Sequence, residues 1–116
     1  MVGHLMRQSA GKVLIVLVTA SSRREAAKIG RAVVKKKVAA CVNIMPSVTS
    51  IFRWQGKVQS SSEVLLVVKT SGRRYAALER LIRSMHSYEL PEIIALNVER
   101  GLSQYIAWVE QETTSN

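Results

Sequence analysis

Residues Val13 to Val18 read VLIVLV, six apolar positions in a row, four of them β-branched. Side chains along a strand point alternately to opposite faces, so a strand built from this run is apolar on both sides. Val64 to Val68, VLLVV, makes the same demand a second time. Two such runs place two strands inside a sheet, and the rest of the chain has to supply their cover.

Cover for one face is legible. Ser21 and Ser22 offer an N-cap, and Glu25, three residues after Ser22, completes a capping-box pattern. A helix is expected from there to near Lys37, with Ala26, Ile29, Val33 and Ala27, Gly30, Val34 at helical spacing and small residues that permit close approach to a sheet. Beyond Gly72, Tyr75, Leu78, Leu81, Ile82 and Met85 form the apolar stripe of a second helix, which Pro91 forbids from continuing. Residues 38–54 are β-rich, with a bend or bulge expected near Pro46-Ser47 and a turn at Gln55-Gly56-Lys57. Ser60 to Ser62 read as a polar break before the strand from Glu63 to Thr70, and residues 92–98 as a fourth strand. Ser103 is expected to cap a last short helix whose apolar side is Tyr105, Ile106, Trp108 and Val109, with fraying from Thr113 onward.

The order β-α-β-β-α-β plus a terminal helix is the ferredoxin-like α+β plan, an antiparallel four-stranded sheet with two helices on one face. At 116 residues the chain is expected to form one domain, spanning 12–113, with a flexible N-terminal segment 1–11 and a frayed end 114–116. The second sheet face then lacks cover, with far more apolar surface than the few hundred Å² that monomers usually expose, so an oligomer is expected.

The net charge of +9 is concentrated. Arg24, Lys28, Arg31 and Lys35, at intervals of 4, 3 and 4, form one basic stripe along the first helix. This is the pattern of a solvated helix face, and also of a surface for an acidic partner or nucleic acid. The strand 63–70 carries no aromatic residue for base stacking, so nucleic acid is not an expected partner. Lys12 ahead of Val13–Val18 and Thr19 to Ser22 has the outline of a secretory signal, yet the run is shorter than the roughly 7–15 residues that such a segment needs. No stretch approaches the roughly 20 residues that span a bilayer, so no membrane association is expected. The single cysteine, Cys41, flanked by Ala40 and Val42, reads as a small packed hydrophobe, and the expected location is the cytoplasm. His86 and Cys41 are weak material for nucleophilic catalysis, and His4 falls in the N-terminal segment; no enzymatic reaction is expected.

Five stretches in fixed order, ACVN at 40–43, TSIFRWQGK at 49–57, SEVLLVVKT at 62–70, HSYELPEI at 86–93 and QYIAW at 104–108, closely resemble the CutA family of divalent-cation tolerance proteins. The resemblance implies a homotrimer with the architecture of the PII signalling proteins and a role in the response to metal ions. It implies a copper-type or other divalent-cation site at the positions of Val18, Met85 and His86, of which only His86 is an imidazole. It further implies an inter-subunit cleft for a small ligand, lined by Trp54, Glu63, Lys69, His86, Tyr88 and Glu89. Ser87 stands where the family usually has proline. A trimeric structural or signalling interaction protein without metal, its basic helix meeting an acidic partner or nucleic acid, is the competing expectation.

Overall fold

The structure, a computed structural model, describes residues 13–114; the N-terminal segment 1–11, Lys12 and residues 115–116 lie outside the described residues. The elements are β1 (Val13–Ala20), α1 (Arg23–Lys35), β2 (Cys41–Trp54), β3 (Lys57–Ser71), a 3₁₀ turn (Gly72–Arg74), α2 (Tyr75–Met85), β4 (Ile93–Asn97) and α3 (Ser103–Glu112). The sheet order is β2-β3-β1-β4 with every neighbouring pair antiparallel. The two doubly apolar runs therefore occupy the two central strands.

The register sets Val16, Val18 and Ala20 opposite Val68, Leu66 and Val64. All six are buried, and with Ala26, Ile29 and Val33 of α1 and Leu78 and Ile82 of α2 they form the core. Gly30 lets α1 settle onto β2, since a Cβ there would stand 3.5 Å from Val42 and 3.8 Å from Ile44.

The start of α1 is fixed as its sequence predicts. Ser22 Oγ accepts the Glu25 N–H at 3.1 Å, while the Glu25 carboxylate accepts the Ser21 N–H and hydroxyl at 2.9 and 2.8 Å. At its other end Lys37 turns left-handed (φ 62°), and the N–H groups of Val38 and Ala39 fold back on Val33 O at 3.0 and 3.1 Å. Those bonds are why β2 begins at Cys41 and not at residue 38.

β2 and β3 form a long hairpin joined by Gln55 and Gly56, both at positive φ (52° and 80°), a two-residue turn suited to strand twist. One extra β2 residue between Met45 and Val48 makes the expected bulge, with Ser47 at φ 73°. The serines do not break the strand. Ser60, Ser61 and Ser62 pair with Ile51, Ser50 and Thr49, because a ladder needs backbone groups and not apolar side chains. β1 pairs β3 only from Val64 onward, so Lys57–Glu63 and its β2 partner project as a two-stranded arm with Ile51, Phe52, Trp54 and Val58 exposed.

The opposite sheet face holds Ile15, Leu17, Leu65, Val67, Ile94 and Leu96 by strand alternation. α3 covers only one end of it, where Val109 packs with Val13 and Ala40. Ser103 is the first residue of α3 and not its cap; Leu102 holds that place without a side-chain bond. Thr113 does not fray: it is fully buried, and its hydroxyl is hydrogen-bonded with Ser71 Oγ (3.0 Å) and to Val109 O (2.8 Å). Ile94 and Leu96 remain 52% and 54% exposed, so this face is uncovered in a single chain.

Gly30→Ala places a methyl group at ordinary contact distance from Val42 and removes the conformational freedom of a mid-helix glycine in the unfolded chain. It is expected to raise unfolding stability by about 0.5–1 kcal/mol in urea titration; a loss of stability would mean that α1 cannot accommodate the methyl.

Candidate functional site

α2 stops at Met85, and His86 turns extended (φ −79°, ψ 141°), which aims its ring back into the protein. The side chain is fully buried. Nδ1 accepts the Tyr88 N–H at 3.1 Å, so the ring proton resides on Nε2, which donates to Thr19 O at 2.7 Å. Glu25 Oε2, 3.8 Å from Nδ1, is a neighbour and not a hydrogen-bond partner; that oxygen accepts the Ser87 N–H at 2.7 Å. The Tyr88 ring leans on the imidazole, centroids 4.8 Å apart, and its hydroxyl donates to Glu63 Oε2 at 2.7 Å. Glu63 is 8% exposed.

One polar chain thus links the start of α1, the end of β1, the loop after α2 and the middle of β3. Its electrostatics follow from these bonds. Partial burial pushes the Glu25 carboxyl up, but hydrogen bonds from Ser21 and Ser87 outweigh it and hold the group down at about 2. Burial pushes the Tyr88 phenol up, and its bond to Glu63 with the charges of Glu63 and Glu25 pushes it further, so it stays a protonated donor. Among the described residues Glu63 Oε1 takes no hydrogen bond, and no buried oxygen lacks a partner, so Oε1 remains open to an incoming group.

The other expected cleft residues are elsewhere. Glu63 and Lys69 share a face of β3, as their even spacing predicts, but six residues of strand separate them by about 20 Å. Lys69 Nζ donates to Asn43 Oδ1 and lies 3.9 Å from Cys41 Sγ. Cys41 is not a core residue: it is half-buried on the uncovered face, next to Tyr105, whose phenol is pushed up by burial and then by the thiol. Trp54 pairs with Lys57 at the tip of the arm, about 20 Å from Glu63 in the other direction. Glu89 lines a separate shallow depression of about 230 Å³ with Glu79, Arg83, Leu90, Pro91 and Ile93. Within one chain only His86, Tyr88 and Glu63 meet.

The copper-type set does not fit. Val18 is fully buried in the core, Met85 packs against that core, and both His86 nitrogens are engaged. Among the described residues no group of three His, Cys, Asp or Glu side chains converges on a metal-sized site. Sequence reasoning also missed the second role of Glu25, which joins α1 to the His86 loop. Its capping pattern was visible, but a contact to Ser87, 62 residues away, has no local signature. Arg24, Lys28, Arg31 and Lys35 are all exposed, as the stripe predicts.

The layered split-βαβ sheet, the projecting hairpin and the carboxylate–phenol–imidazole chain define a ferredoxin-like α+β protein with one uncovered sheet face. The profile of the family described as CutA1 divalent ion tolerance protein matches residues 14–112, and the chain belongs to that family. It is 47% identical over 105 residues to Protein CutA of Mus musculus, covering 90% of this chain and 59% of the mouse protein. It is 41% identical over 99 residues to the divalent-cation tolerance protein CutA of Thermus thermophilus, covering 85% of this chain and 96% of that one. The solved structure of the divalent cation tolerance protein from Thermus thermophilus superposes with a TM-score of 0.87 at 40% identity, over 88% of this chain and 99% of that one. Measured against the mouse, human and bovine relatives, the chain spans 59% of their length.

Glu25→Gln weakens the bonds to Ser21 and Ser87 and is expected to cost about 1–3 kcal/mol. Because the folded carboxyl titrates at about 2 against an ordinary 4.5, its contribution is complete above 4.5 and lost as pH falls from there toward 2. Urea titrations across that window should show a shallower acid loss in the variant; identical profiles would show that Glu25 does not carry the coupling. Tyr88→Phe leaves the buried Glu63 without its donor and should destabilise by about 1–3 kcal/mol, read from thermal or urea unfolding.

Proposed function

We propose that this chain works as a homotrimer in the response to divalent cations, binding a small polar ligand or cation at a cleft between subunits. The observation that carries the reading is the uncovered apolar sheet face beside a projecting arm with exposed Phe52 and Trp54. Such surface is stabilised by association, and the arm is long enough to reach across a neighbour. An arm from another copy supplies the way to bring a tryptophan to Glu63, Tyr88 and His86 that a single chain lacks. The open Oε1 of Glu63 would be a further polar contact in a pocket with aromatic walls, whereas the Lys69 ammonium, about 20 Å away along β3, would reach it only from another copy.

Copper held by Val18, Met85 and His86 is not part of this reading, since two of those side chains are apolar members of the core region and the third has no vacant nitrogen. A cation would instead meet carboxylate oxygen, the hard donor that suits Mg(II), Ca(II) and Mn(II). The site is one of binding and not of catalysis, consistent with a phenol held protonated and an imidazole with both nitrogens bonded. The cytoplasm is the proposed location, in keeping with the free thiol of Cys41. Among the described residues no helix is long and apolar enough to cross a membrane.

Light scattering on the purified chain is expected to give three copies at low and high salt alike; a persistent monomer would overturn the reading. Calorimetric titration of Mg(II), Ca(II) and Mn(II), with Zn(II) and Cu(II) in parallel, tests the cation arm: saturable binding of an oxygen-preferring ion should weaken roughly tenfold or more in Glu63→Gln, as loss of a charged ligand requires. Binding that Glu63→Gln leaves intact would remove the cleft assignment.

A further inference from the structure

α1 and α2 lie side by side and antiparallel on the sheet, clamped at both ends. Arg74 Nε donates to Lys37 O (3.3 Å) at one end, and the Ser87 N–H donates to Glu25 Oε2 (2.7 Å) at the other. The sides facing away from the sheet carry cations. On α1 the row is Arg24, Lys28, Arg31 and Lys35. On α2 and the turn before it, Arg73, Arg80 and Arg83 make a second row opposite the buried Leu78 and Ile82. The antiparallel packing sets Arg24 near the Arg83 end and Lys35 near the Arg73 end. The surface is a two-row grid about 17 Å long with rows about 10 Å apart.

All seven side chains are exposed, and among the described residues none forms an ion pair. Glu25 is occupied by Ser21 and Ser87, while Glu79 and Glu89 line one depression with Arg83 at the end of the grid. Only the α1 row is apparent from its spacing within one helix; its pairing with a second row depends on how the helices dock.

We propose that this helix pair is a docking surface for double-stranded nucleic acid, held through its phosphates without reading of the bases. The chemistry of the patch selects that partner. Protein interfaces are centred on apolar or aromatic anchors, and membrane-surface helices insert an apolar face. Here Val34 is the one large apolar residue exposed on α1 or α2. Single strands are bound by stacking on exposed aromatics, and Tyr75, the aromatic of these helices, is half-buried with its hydroxyl at Glu79. What remains is an array of exposed cations on two packed helices, five of the seven arginine, whose planar forks match phosphate oxygens. The surface lies on the far side of the sheet from the uncovered face, so association through that face leaves it accessible. The proposal does not depend on the subunit cleft.

Fluorescence anisotropy with a labelled DNA duplex of about 20 bp, titrated with the full chain from about 20 to 200 mM KCl, tests it. Expected is low-salt binding whose log affinity falls with log salt at a slope of about −4 or steeper. Lys28→Glu with Arg31→Glu, and separately Arg80→Glu with Arg83→Glu, should each weaken binding roughly tenfold or more. Lys57→Glu with Arg100→Glu removes the same charge away from the grid and should change affinity by about twofold at most. Circular dichroism and thermal melting verify that each variant is folded. Absence of binding at low salt, equal loss in the off-grid control, or binding to phosphatidylserine vesicles with none to the duplex would each overturn the proposal.

Discussion

β1 and β3, paired from Val13↔Ser71 to Ala20↔Val64, are apolar on both faces, and every other part of the molecule answers to that pairing. One face is satisfied within the chain by α1 and α2, whose buried Ile29, Val33, Leu78 and Ile82 meet Val16, Val18, Leu66 and Val68. The other face is satisfied at one end only, by Val109 and Ile106 of α3. Close-packed interiors do not tolerate half-filled space, so the uncovered remainder is a standing bias toward association.

The polar chain through His86 is a consequence of the same layering. α1 begins and α2 ends at one edge of the helix layer, so the loose backbone groups of both termini fall together. Glu25 serves both: it completes the cap of α1 and accepts the first amide after His86. With Nδ1 and Nε2 both engaged, the imidazole acts as a bracket between Thr19 O and the Tyr88 amide, and it sets Tyr88 on Glu63. The loop SMHSYELPE is therefore a rigid corner whose polar end points to the sheet edge. Ser87 contributes the N–H that Glu25 accepts, a bond that proline could not make.

The chain also divides its charge from its apolar surface. Cations stand on the outward sides of α1 and α2, while the exposed large apolar residues gather on the hairpin arm, β4 and α3. A molecule organised in this way presents two different surfaces, one apolar and one cationic, on opposite sides of a single sheet.

The element order, both amphipathic helices, the Ser22 cap, the bulge near Pro46 and the turn at Gln55-Gly56 were determined by the sequence, because each is a matter of spacing or backbone preference within a few residues. The sequence failed where distant parts compete for the same atoms. Ser60 to Ser62 read as a break until β2 offered partners for their backbone, and Thr113 read as fraying until Ser71 met its hydroxyl. Cys41 read as core, yet strand alternation beside Lys69 put it on the open face. Of the six residues expected to line a cleft, the sequence placed Glu63 and Lys69 on one face, but only the tertiary structure showed that His86, Tyr88 and Glu63 meet and that Trp54 and Lys69 stand apart from them. Periodicity fixes which side a residue faces; the length of the strands and the docking of the helices fix what it can touch.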